Sequence, residues 1–297
     1  MRNAFIHELV NLASSNDRIA LIVGDLGFSV VEPFADCFPD RFINAGVAEQ
    51  NMMGLAAGMA SEGYHVFVYS IANFPTFRCA EQIRNDVDYH RLPVTVVAVG
   101  GGLAYGNLGY SHHAVQDYAL MRLFPNMLIA APGDTMEVRA CLRHLTSYPQ
   151  PSYIRLGKAG EPSLHKDVPN VIPGQWLQIA PGHDNANTLL TTGAPLGLAT
   201  AWIKESGTFW GYALHSLPLW GMSTKASQSC QVKRYQCVTT LEDHLYDGGF
   251  GSWMRESLEN NPALMTRIKV RALDSIVCGM VGGQNTLNQL GGLAIGL

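Results

Sequence analysis

The sequence has no run of basic residues, no CxxC pair and no long apolar segment, and each absence removes a class of function. Twenty Lys and Arg against 24 Asp and Glu leave a net charge of −4. Nothing in that balance tracks the phosphates of a nucleic acid or lies on an anionic membrane. No apolar stretch approaches the ~18 residues that a membrane span needs, and the opening MRNAFIHELV lacks the basic-then-apolar layout of a secretory leader. A cytoplasmic protein that binds neither nucleic acid nor membrane is expected. The six cysteines, at 37, 79, 141, 230, 237 and 278, form no Cys/His cluster at zinc spacing. Reduced, mostly buried thiols and no metal set are expected. Low-complexity tracts and short-period repeats are absent too.

What is present suits a large core. The chain has 297 residues, 47% of them apolar, which is enough for two domains. Apolar, β-branched runs at 19–23, 41–45, 66–70, 94–99 and 127–130 read as buried strands, with helical patterns between them. Asp134 three residues before Glu137 marks a helix start over 134–147. This alternation predicts an α/β fold, a mostly parallel, doubly wound sheet. A region rich in Pro, Gly, Asn and Asp then breaks the pattern, giving domains at 1–160 and 188–297 with a linker over 161–187. The second, smaller α/β domain repeats the alternation with strands near 188–192, 211–214, 237–242 and 267–273. Its glycine-rich close, GMVGGQNTLNQLGGLAIGL, is expected to end in a mobile tail.

Several residues carry the potential for chemistry. Glu49 stands at the mouth of a helix in NAGVAEQNMMGLAAGMASEGY. A first-turn glutamate is ordinarily a solvated charge favoured by the helix dipole. Here Gly54, Ala56, Ala57, Gly58 and Ala60 predict close packing on both sides with little room for water, and the carboxylate then needs a partner. Phe74 and Phe77, three apart, face one way on a helix, as core residues also do. His112 and His113 are adjacent, so they seldom present both rings to one metal ion. Asp25 and Ser29 follow the first strand, where Asp25 can simply cap a turn. Arg155 follows another strand and offers a planar fork of donors or an exposed salt bridge.

GVAEQNMMGLAAGMASEGY, NFPTFRCAEQIRNDV, GGLAYGNLGYSHHAVQDYALMR and FPNMLIAAPGD, in that order and spacing, resemble the pyrimidine-binding domain of transketolase-like thiamine diphosphate enzymes. TTLEDHLYDGGFGS and CGMVGGQNTLNQLGGL resemble that family's carboxyl-terminal domain, so the resemblance covers nearly the whole chain. It implies that Glu49 hydrogen-bonds the ring nitrogen of the cofactor's aminopyrimidine, that Phe74 and Phe77 wall this ring, and that Asp25 lies close to the cofactor. It implies that His112 bonds substrate oxygens and assists proton transfer, with His113 beside it. Ser29 and Arg2 fall near a sugar phosphate that Arg155 grips, and Arg78 and Gln82 fall in a chain-to-chain contact. Two positions depart from the family pattern. Leu108 stands where an acidic residue selects the acceptor hydroxyl, and a phosphate-facing histidine is replaced around Gly100, so an altered sugar is expected. The unit that holds the diphosphate through Mg2+ is expected on a separate large subunit, in an α2β2 heterotetramer. The implied activity is ketol transfer between sugar phosphates. A 2-oxo acid dehydrogenase beta subunit, a deoxyxylulose phosphate synthase-like enzyme and a non-catalytic partner subunit are the alternatives.

Overall fold

A strand covered on both faces must be apolar at nearly every position, and the runs read from the sequence meet that demand except at 41–45, whose strand lies at the sheet edge and has no fully buried residue. The computed structural model describes residues 1–158, 160–183 and 186–294. Strands β1 (Ile19–Val23), β2 (Phe42–Asn44), β3 (His65–Ile71), β4 (Val94–Val99), β5 (Leu128–Ala130) and β6 (Ser152–Leu156) join in parallel, with β1, β4, β5 and β6 buried throughout. A seventh strand, β10 (Leu219–Gly221), pairs antiparallel with β5 and completes the order β10-β5-β6-β4-β3-β1-β2. The second sheet has the order β12-β11-β8-β9-β7. Its members are β7 (Leu177–Ala180), β8 (Asn187–Thr191), β9 (Ala213–Ser216), β11 (Cys237–Leu245) and β12 (Ile268–Leu273), all parallel except β7. The fold is α/β, as the alternation predicts.

Three strands fall outside the runs read from the sequence: β7, β10, and β6, which contains Arg155, a residue expected to follow a strand. β7 lies inside the stretch 161–187 expected as a linker; it is a half-exposed edge strand and lacks the β-branched run that marks a buried one. β10 leaves the second unit and joins the first sheet, and at three residues it is too short to show a period. Its Trp220 explains the excursion. The ring lies 5.1–5.3 Å from those of Tyr118, Phe250 and Trp253, and its indole N–H donates to Thr192 Oγ1 at 2.9 Å. One side chain thus joins both cores. Of the cysteines, Cys79 and Cys141 are buried while Cys37 and Cys230 are exposed, so only part of the expected burial is seen; all six are free. Among the described residues no helix is long and apolar enough to cross a membrane. Residues 295–297 of the expected tail lie outside the described residues.

The stretch after β6 is strapped down by the helix start expected at Asp134. Asp134 Oδ1 caps the helix Thr135–Ser147 through the amides of Met136 and Glu137. Its Oδ2 accepts from the amides of Leu164 and His165 and lies 2.9 Å from His165 Nδ1. Burial opposes ionisation of Asp134, but the bonds from His165 and these amides hold its carboxyl down at about 2. Burial pushes the neighbouring Glu137 carboxyl up to about 7, and the bond to Asp134 raises the His165 imidazole above its usual value.

Glu137 and His165 bind their protons more tightly folded than unfolded. The stability this confers is therefore present at low pH and lost as pH rises, from about 4.5 to about 7 for Glu137 and above 6.5 for His165. Asp134 acts in the opposite sense, losing its contribution as pH falls from 3.8 toward about 2. The melting temperature is expected to fall from about pH 5 to about pH 8, and Glu137→Gln, which cannot titrate, to flatten that slope; an unchanged slope counts against the assignment. Trp220→Ala is expected to cost about 3–5 kcal/mol in urea unfolding.

Candidate active site

In a parallel sheet, ligands sit beyond the carboxyl ends of the strands, where the strand order reverses direction. That point lies between β1 and β3. The loop leaving β1 is tightly bent, with positive φ at Asp25 (53°), Gly27 (93°) and Ser29 (64°). Strain in non-glycine residues is characteristic of functional loops. Asn44, at the end of β2, binds this loop to the one before Glu49. Its Oδ1 accepts from the amides of Asp25 and Gly46, and its Nδ2 donates to Asp25 Oδ1 at 3.0 Å.

Glu49 opens the helix Glu49–Ser61 and is 6% exposed. Met52, Met53, Ala56, Ala57 and Ala60 bury the inner face of this helix. The outer face is open: a methyl group placed on Gly54 or Gly58 would meet nothing within 4 Å. The close packing expected on both sides is therefore present on one side in the single chain. Positive charge from the helix amino end and from Arg78 offsets the burial of Glu49, with Arg78 Nη1 donating to its Oε1 at 2.6 Å. The same guanidinium lies 4.1 Å from the centre of the Phe74 ring, in the short helix Asn73–Phe77 after β3.

His112 meets this group from the loop after β4, its ring 5.3 Å from that of Phe74, edge to face. Two short 3₁₀ turns, Gly106–Leu108 and Tyr110–His112, carry it. Asn73 secures the loop by donating from Nδ2 to the carbonyls of Ser111 and His113 at 3.2 and 2.9 Å. Burial first, then the positive Arg78, lowers the affinity of the His112 imidazole for a second proton. It is neutral at pH 7, with one nitrogen that donates and one that accepts.

Glu49, Phe74 and His112 thus converge on Arg78, while other expected residues stand apart. Phe77 is 47% exposed and makes no ring contact among the described residues. Asp25 and Ser29 lie exposed on the β1 loop, and the Ser29 amide donates to Glu32 Oε1. Arg2 donates from Nε to the carbonyl of Lys158 at 2.7 Å. Two expectations do not hold in this chain. His113 is 1% exposed, with Nε2 3.3 Å from the Gly106 carbonyl, so it packs the loop from inside and does not face substrate. Arg155 is buried, and each of its guanidinium nitrogens is engaged by the chain: Asp117 at 2.7 Å, Asp243, and the Ala114 carbonyl at 2.6 Å. It joins the domains and has no donor left to grip a phosphate.

Sequence reasoning missed Asn44, Asn73 and Tyr105. The Tyr105 ring accounts for Gly100: a Cβ there would fall under 3.0 Å from it, and Gly100 has φ +81°. The ring reaches His112 at 6.3 Å and carries the Lys158 ammonium at 4.9 Å. A tyrosine ring thus packs over Gly100.

The family model described as transketolase, pyrimidine-binding domain, matches residues 1–160, more than half of the chain. The chain belongs to the transketolase family. It is 33% identical over 269 residues to a putative transketolase C-terminal section of Methanocaldococcus jannaschii, covering 88% of this chain and 82% of that one. It is 31% identical over 266 residues to one subunit of an apulose-4-phosphate transketolase from Phocaeicola vulgatus, covering 88% and 84%. A solved structure described as a split gene transketolase, inactive beta4 tetramer, superposes with a TM-score of 0.83 at 28% identity, covering 99% and 93%.

If Asn73 holds the transketolase loop in place, Asn73→Ala is expected to speed amide hydrogen exchange across 110–114 at least tenfold while the helix Glu49–Ser61 stays protected. Equal exchange in both proteins would remove that role.

Proposed function

We propose that this chain is one of the two kinds of subunit in a thiamine diphosphate-dependent transketolase that moves a two-carbon ketol unit from a ketose to an aldose, both being sugar phosphates. The carrying observation is the buried Glu49 carboxylate set beside Phe74 and His112. These residues fit the pyrimidine half of the cofactor, since a shielded carboxylate and an aromatic face are what an aminopyrimidine ring requires. When bound, thiamine diphosphate supplies a nucleophilic carbon that accepts the ketol unit.

Glu49 would hydrogen-bond the ring nitrogen, and its burial would keep water from competing for that bond. Arg78 covers the Phe74 face and holds Glu49, so it must move aside for a ring to enter; its side chain is 48% exposed and free to turn toward a partner. Phe77, half-exposed, and Asp25, on the β1 loop, are proposed as further cofactor contacts. His112, neutral, exchanges a proton with substrate hydroxyls, while Arg2 and Ser29 receive the phosphate end. Tyr105 over Gly100 and the exposed Leu108 leave the acceptor end less polar than the family pattern implies. A hydroxyl facing Leu108 finds no partner, a loss of roughly 1–3 kcal/mol that favours an altered sugar.

The large subunit supplies the Mg2+ and diphosphate contacts. Among the described residues no group of three His, Cys, Asp or Glu could hold a metal ion. The open outer face around Gly54 and Gly58, with Val47 and Leu55 exposed, suits a subunit seam, and we assign the assembly as an α2β2 heterotetramer acting in the cytoplasm.

The test is to combine this chain with a large subunit that carries the diphosphate-binding domain, thiamine diphosphate and Mg2+. Ketol transfer is expected only from the full mixture. Glu49→Gln should lower kcat roughly 10²–10⁴-fold while the two chains still co-elute. Near-normal transfer by this variant, or 2-oxo acid decarboxylation in place of ketol transfer, would overturn the proposal.

A further inference from the structure

His112 stands on a loop whose two ends are tied together by Gly102 and Ala114, each amide donating to the other's carbonyl at 2.9 Å. Asn73 of the first domain holds the Ser111 and His113 carbonyls of this loop. A second support comes from the other domain, where residues 281–290 end in the helix Gln284–Leu290. Ketol transfer as read above gives this segment no task.

One carbonyl gathers the contact. Gly106 O accepts from the Gly109 amide at 3.2 Å and from the Gly282 amide at 3.1 Å, and lies 3.3 Å from His113 Nε2. Two of these partners belong to the loop and the third to the second domain. The junction leaves no room for a side chain: a Cβ on Gly106 would come under 3.0 Å from both Leu287 Cδ1 and the Gly282 carbonyl oxygen. A methyl group on Gly109 would meet Val281 at 3.4 Å. Leu287 is 2% exposed and belongs to the same apolar cluster as Leu103 and Val115, one from each end of the loop, and as Val277 and Leu293 of its own domain.

Contacts packed this closely transmit a displacement instead of absorbing it. Toward the first domain, the turn that carries His112 is held by the two Asn73 bonds and by one edge-to-face contact with Phe74, and such a ring pair alone fixes a loop only weakly. We propose that Leu287 is a positioning residue for ketol transfer: packed against Gly106 beside the Gly282 amide, it sets the loop so that His112 stays against Phe74. This role rests on the proton exchange assigned to His112, and it gives the second domain a part in the reaction without any contact with substrate.

Three variants test it. Leu287→Ala empties the contact, Gly106→Ala wedges it apart from the loop side, and Leu287→Met keeps it filled. In the first two, amide hydrogen exchange across 106–113 is expected to quicken at least roughly tenfold while the helix Glu49–Ser61 stays protected. The His112 imidazole, followed by NMR of the histidine-labelled chain and assigned with His112→Gln, should titrate closer to its ordinary 6.5 in both, because moving off Phe74 and away from Arg78 removes the burial and the positive charge that lower it. A mere loss of global stability leaves that titration where it is. In the enzyme assembled with a large subunit, thiamine diphosphate and Mg2+, both variants should lower kcat roughly 10–100-fold, and Leu287→Met should match the parent in every measurement. Gly106→Ala leaves the core around Leu287 filled, so it decides the matter if circular dichroism shows Leu287→Ala unfolded. Exchange and titration are read on the chain alone, so a parent mixture without ketol transfer would sink the functional reading while these two measurements still decide whether Leu287 sets the loop. Parent-like exchange and titration in the folded variants, or an unaltered kcat despite a displaced loop, would overturn the proposal.

Discussion

A carboxylate kept from water needs positive charge beside it, and the site is arranged around how Glu49 obtains it. The helix amino end and the Arg78 guanidinium supply that charge. Arg78 also covers Phe74, and Phe74 touches His112, so one cation coordinates three elements that follow β2, β3 and β4. Those strands lie on either side of the place where the order of the sheet reverses. The residues meet there because loops at the carboxyl ends of parallel strands converge at such a point.

The second domain acts on this arrangement through buried polar contacts. Arg155 bridges Asp117 of one domain to Asp243 of the other while holding the carbonyl of Ala114, and Trp220 crosses from the second unit to fill space beside Tyr118. The loop of His112 is therefore braced on both sides, by Asn73 from the first domain and by this junction behind it. Support of this kind holds a loop in one place.

Much of the fold was legible along the chain because buried parallel strands leave unbroken apolar runs, as in IALIV and VTVVAV. The Asp134 cap was legible for a similarly local reason, since a cap and its amides lie within three residues. β7 and β10 were not legible, one being a half-exposed edge and the other too short to show a period. At the site, the motif order marked Glu49, Phe74 and His112. It could not mark Asn44 or Asn73, whose importance comes from carbonyls and amides brought near by folding.

By itself, the sequence determined the fold class, the family and the placing of a lone glutamate at a helix start, since each depends on local composition and spacing. Only the tertiary structure decided which charged and aromatic groups meet around Glu49. His112 and His113 are neighbours in the chain, yet one faces Phe74 and the other packs inward. Along the chain Arg155 offered a phosphate grip or an exposed salt bridge, and folding instead buries it against Asp117 and Asp243, the latter 88 residues away. The physical reason is that hydrogen-bond partners and burial are set by what lies near in space, and neither can be read along a single strand.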